Sequence, residues 1–253
     1  MTELVFALGA GDRVVGVSGY SVRPAEARQK EKVAAFTSIR MEKILPLKPD
    51  LILGFSDLQK DIARDLVGEG FNVFITNQRT IEEIGDTILA VGRLLGLEAV
   101  AISLRDNFLG ELEELAAIPD DSKPKPRVYF EEWDNPLIYG IGWVSELIGK
   151  LGGEDVFKSR KAGSTAAQRV VTFDEVIKAD PDIILASWCG KKVQIESLRT
   201  RSGWDSIAAV KKNQIYEIKS SDILSPGLSL LYGARQMAEI FKKCYLPSPV
   251  ACP

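Results

Sequence analysis

Apolar residues in this chain fall into short dense runs, and the period inside successive runs switches between helix-like and strand-like. Residues 2–8 predict a short helix with Thr2 as N-cap, ended by Gly9 or Gly11. The β-branched run 13–17 predicts a strand feeding a loop of small polar residues. Residues 41–45 predict a helical turn or two stopped at Lys48-Pro49, because the residue before proline avoids the α region. Residues 50–54 then read as a wholly apolar buried strand, followed by a helix at 58–66, a strand at 71–75 and a helix at 81–95. Residues 97–115 form one further helical pattern of about 19 residues, or roughly 28 Å. After the proline-rich charged stretch 118–126 the rhythm restarts. Strands are expected at 127–131, 182–186 and 214–218, and helices at 142–151, 173–179 and 228–243. Strand–helix alternation of this kind predicts an α/β fold with mainly parallel sheets. The division expected is an N-terminal α/β lobe at 1–95, a linking helix and linker at 96–126, and a C-terminal α/β lobe at 127–253.

A duplication supports two lobes. Residues 41–53 and 173–185 match at a step of 132 residues, each an acid-bearing helix, a Pro-Asp breaker and an apolar strand. The match makes Gly54-Phe55-Ser56 and Ala186-Ser187-Trp188 equivalent strand ends. Ligands of open α/β sheets sit beyond such ends, so a ligand cleft between the lobes is expected, with an aromatic from each side.

Composition narrows the chemistry. The chain has 253 residues, 45% hydrophobic, with 32 basic against 35 acidic side chains, which gives no global field for nucleic acid. No apolar run reaches the ~18 residues needed to cross a bilayer as a helix. Histidine is absent, which excludes Ser-His-Asp and Cys-His catalysis and every histidine-bearing zinc site. Cys189, Cys244 and Cys252 have no CxxC spacing, and no metal site is expected. Gly9-Ala10-Gly11 follows a helix and precedes a strand, the reverse of a dinucleotide loop, and no GxxxxGK[ST] motif occurs. Glu131-Glu132-Trp133-Asp134 reads as a solvated strand end rather than an acid–base or metal cluster. Met1-Thr2-Glu3 runs straight into Leu4-Val5-Phe6 without a signal-peptide pattern. That leaves a cytosolic protein, or an exported one whose export segment is not in this sequence.

Residues 2–18, the Tyr20–Pro24 loop, 42–53, Gly152-Gly153-Glu154-Asp155-Val156-Phe157, Ser187-Trp188-Cys189-Gly190, and Gly203-Trp204 through Val210 stand out together. In that order they resemble the cobalamin-type substrate-binding proteins of ABC importers, within the class that also binds iron–siderophore and haem ligands. The resemblance implies two lobes bridged by a long helix, no catalysis, no resident cofactor, and transfer of a small-molecule ligand to a membrane permease by a monomer. It places the protein in the periplasm or on the outer face of the cell membrane. The ligand it implies is cobalamin or a related corrinoid, with an iron chelate or haem on the same fold as the alternative. A cytosolic interaction or regulatory protein on this scaffold is a further one. By the same resemblance Met1 stands where a Ser-Pro-Ser-type loop ends, so the family's first strand is expected to be missing. Ser225-Pro226-Gly227 lacks the arginine that relatives often carry next, which favours an uncharged ligand.

The positions matching the family's cleft loops are Tyr20, Phe36, Phe55, Trp133, Tyr139, Trp143, Trp188, Asp222 and Ile223. A corrinoid presents a broad apolar face with amide arms, so an aromatic, sparsely polar surface suits it. Trp188 and Phe55 are the leading contacts, since each ends or follows an apolar strand; Trp143 and Phe36 have the stronger structural reading. The resemblance also implies one carboxylate per lobe that pairs with permease arginines, at Asp61 and Glu196.

Overall fold

The computed structural model describes residues 1–116, 124–160 and 165–245, without the side chains of Cys244 and Tyr245. The expected linker therefore lies largely outside the described residues, as do Cys252 and the Cys244 thiol. The chain divides into two units, Met1–Gln78 with Glu82–Phe108, and Arg79–Ile81 with Leu109–Pro253. Each is a mixed α/β unit whose strand pairs are mainly parallel.

The first unit begins with α1 (Thr2–Ala7), β1 (Gly16–Ser18) and β2 (Glu31–Ala34). It continues through α2 (Met41–Ile44), β3 (Ile52–Phe55), α3 (Lys60–Gly68), β4 (Val73–Thr76), most of α4 (Ile81–Leu94) and the start of α5 (Glu98–Ala116). Helix α1 is capped by Met1 rather than Thr2, whose hydroxyl instead bonds Ser21 Oγ at 2.9 Å. Gly9 ends it with a φ of +82°, the left-handed conformation that glycine adopts without strain. The strand expected at 13–17 starts only at Gly16, because Gly11–Arg13 closes a 3-10 turn. Strand β3 is half-buried throughout rather than fully buried. Among the described residues its sheet partner is β4 and that of β1 is β2, which gives two separate two-stranded sheets in this unit. The core lies under the helices, at Leu4, Val5, Leu8, Ile44, Leu66, Ile84, Ile88 and Val91. Helices α4 and α5 meet at Gly92, where a Cβ would come 2.2 Å from that of Ala101. Glycine is required there by the closeness of the helices.

The second unit contains β5 (Arg127–Asp134), β6 (Leu137–Tyr139), α6 (Gly142–Lys150), β7 (Glu154–Asp155), β8 (Val170–Val171) and α7 (Phe173–Ala179). Then follow β9 (Ile183–Ala186), α8 (Ile195–Arg199), α9 (Ala208–Lys211), β10 (Ile215–Glu217), α10 (Ser220–Ile223) and α11 (Leu230–Tyr245). The sheet order is β10-β9-β5-β6-β8, with β7 also on β5. β9 is buried at all four positions, as expected for a parallel strand covered on both faces. Trp204 is fully buried, with its ring edge-on to Tyr129 and Phe173.

The duplication extends to backbone detail. Lys48 (φ 44°, ψ 52°) and Asp180 (φ 40°, ψ 64°) both adopt the left-handed conformation directly before a proline. The helix thus stops by a left-handed turn, not by a pre-proline residue held extended. Each following strand makes the equivalent bond at or next to its first residue: Ile52 N–H to Asn72 C=O, and Ile184 N–H to Gln214 C=O, both at 2.9 Å.

Candidate functional site

In the first unit, Tyr20, Phe36 and Phe55 follow β1, follow β2 and end β3, so all three stand at carboxyl ends of parallel strands. Tyr20 is 63% exposed. The rings of Phe36 and Phe55 meet with centroids 5.7 Å apart at a tilt of 41°. Gln59 fixes this pair from behind. Its Oε1 accepts the Phe55 N–H at 2.9 Å and its Nε2 donates to the Phe36 carbonyl at 2.8 Å. Between them Ser56 takes φ 89° and ψ 137°, a conformation almost confined to glycine, and caps the next turn by accepting from Leu58 N–H. Asp57 N–H donates to Asn77 Oδ1, which ties the ends of β3 and β4 together. The result is a half-exposed aromatic edge on a cross-braced backbone, and neither Gln59 nor Ser56 carries a sequence signal that singles it out.

The second unit handles its strand ends differently. Glu131 is fully buried, not solvated, and is held bidentately by Arg201 at 2.5 and 2.9 Å. Trp188 Nε1 donates to the same carboxylate at 3.0 Å, and Tyr129 O–H at 3.3 Å. Glu132 lies where the strand register shifts between Glu131 and Trp133, and there the buried Arg169 grips it separately at 2.5 and 2.9 Å. Burial pushes the Glu131 carboxyl above its ordinary range, against the pull of Arg201 and Trp188. Burial likewise carries the Tyr129 hydroxyl well up, with the Glu131 charge adding to it.

Trp188, expected as a surface contact, is only 2% exposed and spends its N–H on Glu131. Trp133 is half-buried and donates its N–H to the Asn135 carbonyl at 3.0 Å. The Lys191 ammonium lies 4.4 Å from the Trp133 ring and 4.8 Å from that of Trp188, so the structure does bring these two indoles together. Asp134 holds the same ammonium at 2.7 and 2.9 Å. Tyr139 is buried against Phe157. Trp143 is buried and donates to the Ile223 carbonyl at 3.0 Å, and Ile223 itself is fully buried. Asp222 is buried and accepts from Gln236 and Ser221. Five of the expected contacts in this unit, Tyr139, Trp143, Trp188, Asp222 and Ile223, therefore present little surface.

An open pocket of about 580 Å³ lies between Asp134–Leu137, Val171–Phe173, Ser197 and Arg201. None of the nine expected contacts lines it. Cys189 is exposed and unpaired, with its thiol pushed up by burial and then by Glu132. Among the described residues no cluster of three or more potential metal-ligating side chains occurs. Asp61 and Glu196 stand in the first turns of α3 and α8, each exposed and each paired with an arginine three residues on, Arg64 at 3.1 Å and Arg199 at 2.8 Å.

An α/β chain with two duplicated units and aromatic strand ends has the makings of a ligand-capture protein. Residues 1–221 match the family described as periplasmic binding protein, and the chain belongs to that family. It is 29% identical over 245 residues to a vitamin B12-binding protein of Vibrio vulnificus, covering 95% of this chain and 86% of that one. It is 27% identical over 248 residues to an uncharacterised ABC transporter substrate-binding lipoprotein of Bacillus subtilis, covering 94% and 76%. The crystal structure of a possible iron-binding, periplasmic solute-binding protein from Staphylococcus epidermidis has a TM-score of 0.81 at 25% identity, covering 97% and 95%. The chain is thus a substrate-binding protein of the ABC-importer type and not an enzyme. Among the described residues no helix is long and apolar enough to cross a membrane.

Proposed function

We propose that this protein captures cobalamin or a related corrinoid and delivers it to the permease of an ABC importer, at the periplasmic or outer face of the cell membrane. The observation that carries the reading is the Phe36–Phe55 edge. Its rings are half-exposed, its polar backbone is satisfied by Gln59, and it offers an uncharged aromatic surface that suits a corrin. In the second unit the strand-end charges are already neutralised within the chain, Glu131 by Arg201, Glu132 by Arg169 and Lys191 by Asp134. At those three positions a ligand without net charge meets ions that are already paired. The likeness to a vitamin B12-binding protein points the same way.

In this reading the ligand lies on strand-end aromatics, and no group stays bound permanently. Asp61 and Glu196 meet arginines of the permease, each exchanging its own Arg64 or Arg199 for the partner's. An iron chelate is the second reading, favoured by the likeness to a possible iron-binding protein. Equilibrium titration with cyanocobalamin, with a ferric siderophore and haemin as competitors, separates the two. Saturable cobalamin binding that neither competitor displaces supports the corrinoid; a coloured iron complex with indifference to cobalamin selects the chelate.

A further inference from the structure

Lys191 stands where the duplication repeats Gln59, at the same step of 132 residues. Both residues tie the loop after their strand to a neighbouring strand end. Gln59 does so through neutral bonds that leave the Phe36 and Phe55 rings open. Lys191 does so with its charge, and the ammonium lies on the rings themselves. It sits 4.4 Å from the Trp133 centroid and 4.8 Å from that of Trp188, with two bonds to Asp134. Its side chain keeps 43% of its surface exposed, yet four contacts fix it, where an exposed lysine usually roams. The backbone beside it turns at Gly190, at φ +74°.

We propose that Lys191 is a specificity-determining cover, an ammonium parked by Asp134 on the indole face of Trp133 that a flat, uncharged ligand must displace to stack there. The inference rests on the capture of a corrinoid proposed above. It assigns Trp133 the aromatic face in the second unit and leaves Trp188, buried and bonded to Glu131, as the support beneath. An exposed cation–π contact together with an exposed ion pair is a weak hold. Removing it should tighten a flat ligand about 3- to 30-fold. A smaller or charged competitor that does not stack on the indole gains nothing from the exchange, so the cover sharpens selection.

The test uses the full chain with Lys191→Ala, and with Lys191→Gln as a longer uncharged variant, both checked for folding by circular dichroism. Without ligand, acrylamide quenching of tryptophan fluorescence should rise in both. With cyanocobalamin, affinity should rise about 3- to 30-fold in Lys191→Ala. Added salt screens the Asp134 pair and should tighten binding by the wild type but not by Lys191→Ala. Unchanged quenching overturns the cover. Cobalamin affinity that is unchanged, weaker or absent in Lys191→Ala overturns the displacement. A wild type that binds no cobalamin refutes the proposed ligand as well, whereas a wild type that binds equally well with or without Lys191 refutes this inference alone.

Discussion

At the residue scale, the buried Glu131–Arg201 pair dominates the second unit. Replacing Glu131 by Gln leaves Arg201 uncompensated in the interior, and unfolding by urea should show a loss of about 3–5 kcal/mol. The pH dependence has a definite sign. Burial holds the Glu131 proton more tightly in the native state than in the unfolded chain. As pH rises from the ordinary glutamate range to the raised native value, the unfolded chain therefore binds fewer protons, and this residue's contribution to stability falls. Glu175, lowered by its bond to Arg160, acts in the opposite direction and loses its contribution as pH falls. The quantity to read is thus wild type minus Glu131→Gln across pH. A difference that grows as pH rises would contradict the assignment. In the first unit, Phe55→Ala should weaken ligand binding by roughly 1–3 kcal/mol if that ring is a central anchor. Gln59→Ala should weaken it less, by loosening the Phe36–Phe55 pair, and calorimetry on both variants would show whether that order holds. The acid-rich run at 131–134 gave no hint that Glu131 would be fully buried and Glu132 half-buried, each on its own arginine. Their partners, Arg169 and Arg201, are 37 and 70 residues away. A separation of 57 residues likewise hid the role of Trp188, which is buried with its N–H on Glu131.

At the element scale, the repeated left-handed turn sets where β3 and β9 begin. A non-glycine residue there is strained, and a β-branched one more so. Lys48→Gly should leave stability unchanged or raise it by up to about 1 kcal/mol, and Lys48→Val should lower it by about 1–2 kcal/mol. Asp180→Gly should not gain equally, because Asp180 Oδ1 also accepts the Ala208 N–H at 2.8 Å. Thermal unfolding of the three variants decides; a stabilising Lys48→Val would refute the shared turn. Elements with a strong period were legible from the chain: the helices at 81–94 and 98–116, and the strands flanking each Pro-Asp. Those missed are short, and two of them carry charge. Strand β2 opens Glu31-Lys32, β7 is Glu154-Asp155, and β6 and β8, three and two residues long, exist by pairing, β6 with β5 and β8 with β6. Pairing partners supply their stability, and no local pattern records it.

At the scale of the whole molecule, the α/β class and the family were legible because they rest on order along the chain: duplicated helix–strand units, absent histidine, and segments spread from Thr2 to Val210. The site was legible in part. Strand ends and their aromatics could be named, but which rings stay open depends on tertiary partners. Gln59 leaves the Phe36–Phe55 edge clear and Lys191 covers Trp133. If Asp61 and Glu196 reach a permease, reversing both charges to Lys should abolish ligand-dependent transport in reconstituted vesicles while leaving ligand affinity within about twofold. A parallel loss of affinity would assign these acids to the ligand instead. Isothermal titration of the full chain with cyanocobalamin tests the central claim most directly. One corrinoid per chain, with a dissociation constant below about tens of micromolar, is the expected result. No heat and no saturation at that concentration, from protein shown to be folded, would contradict it.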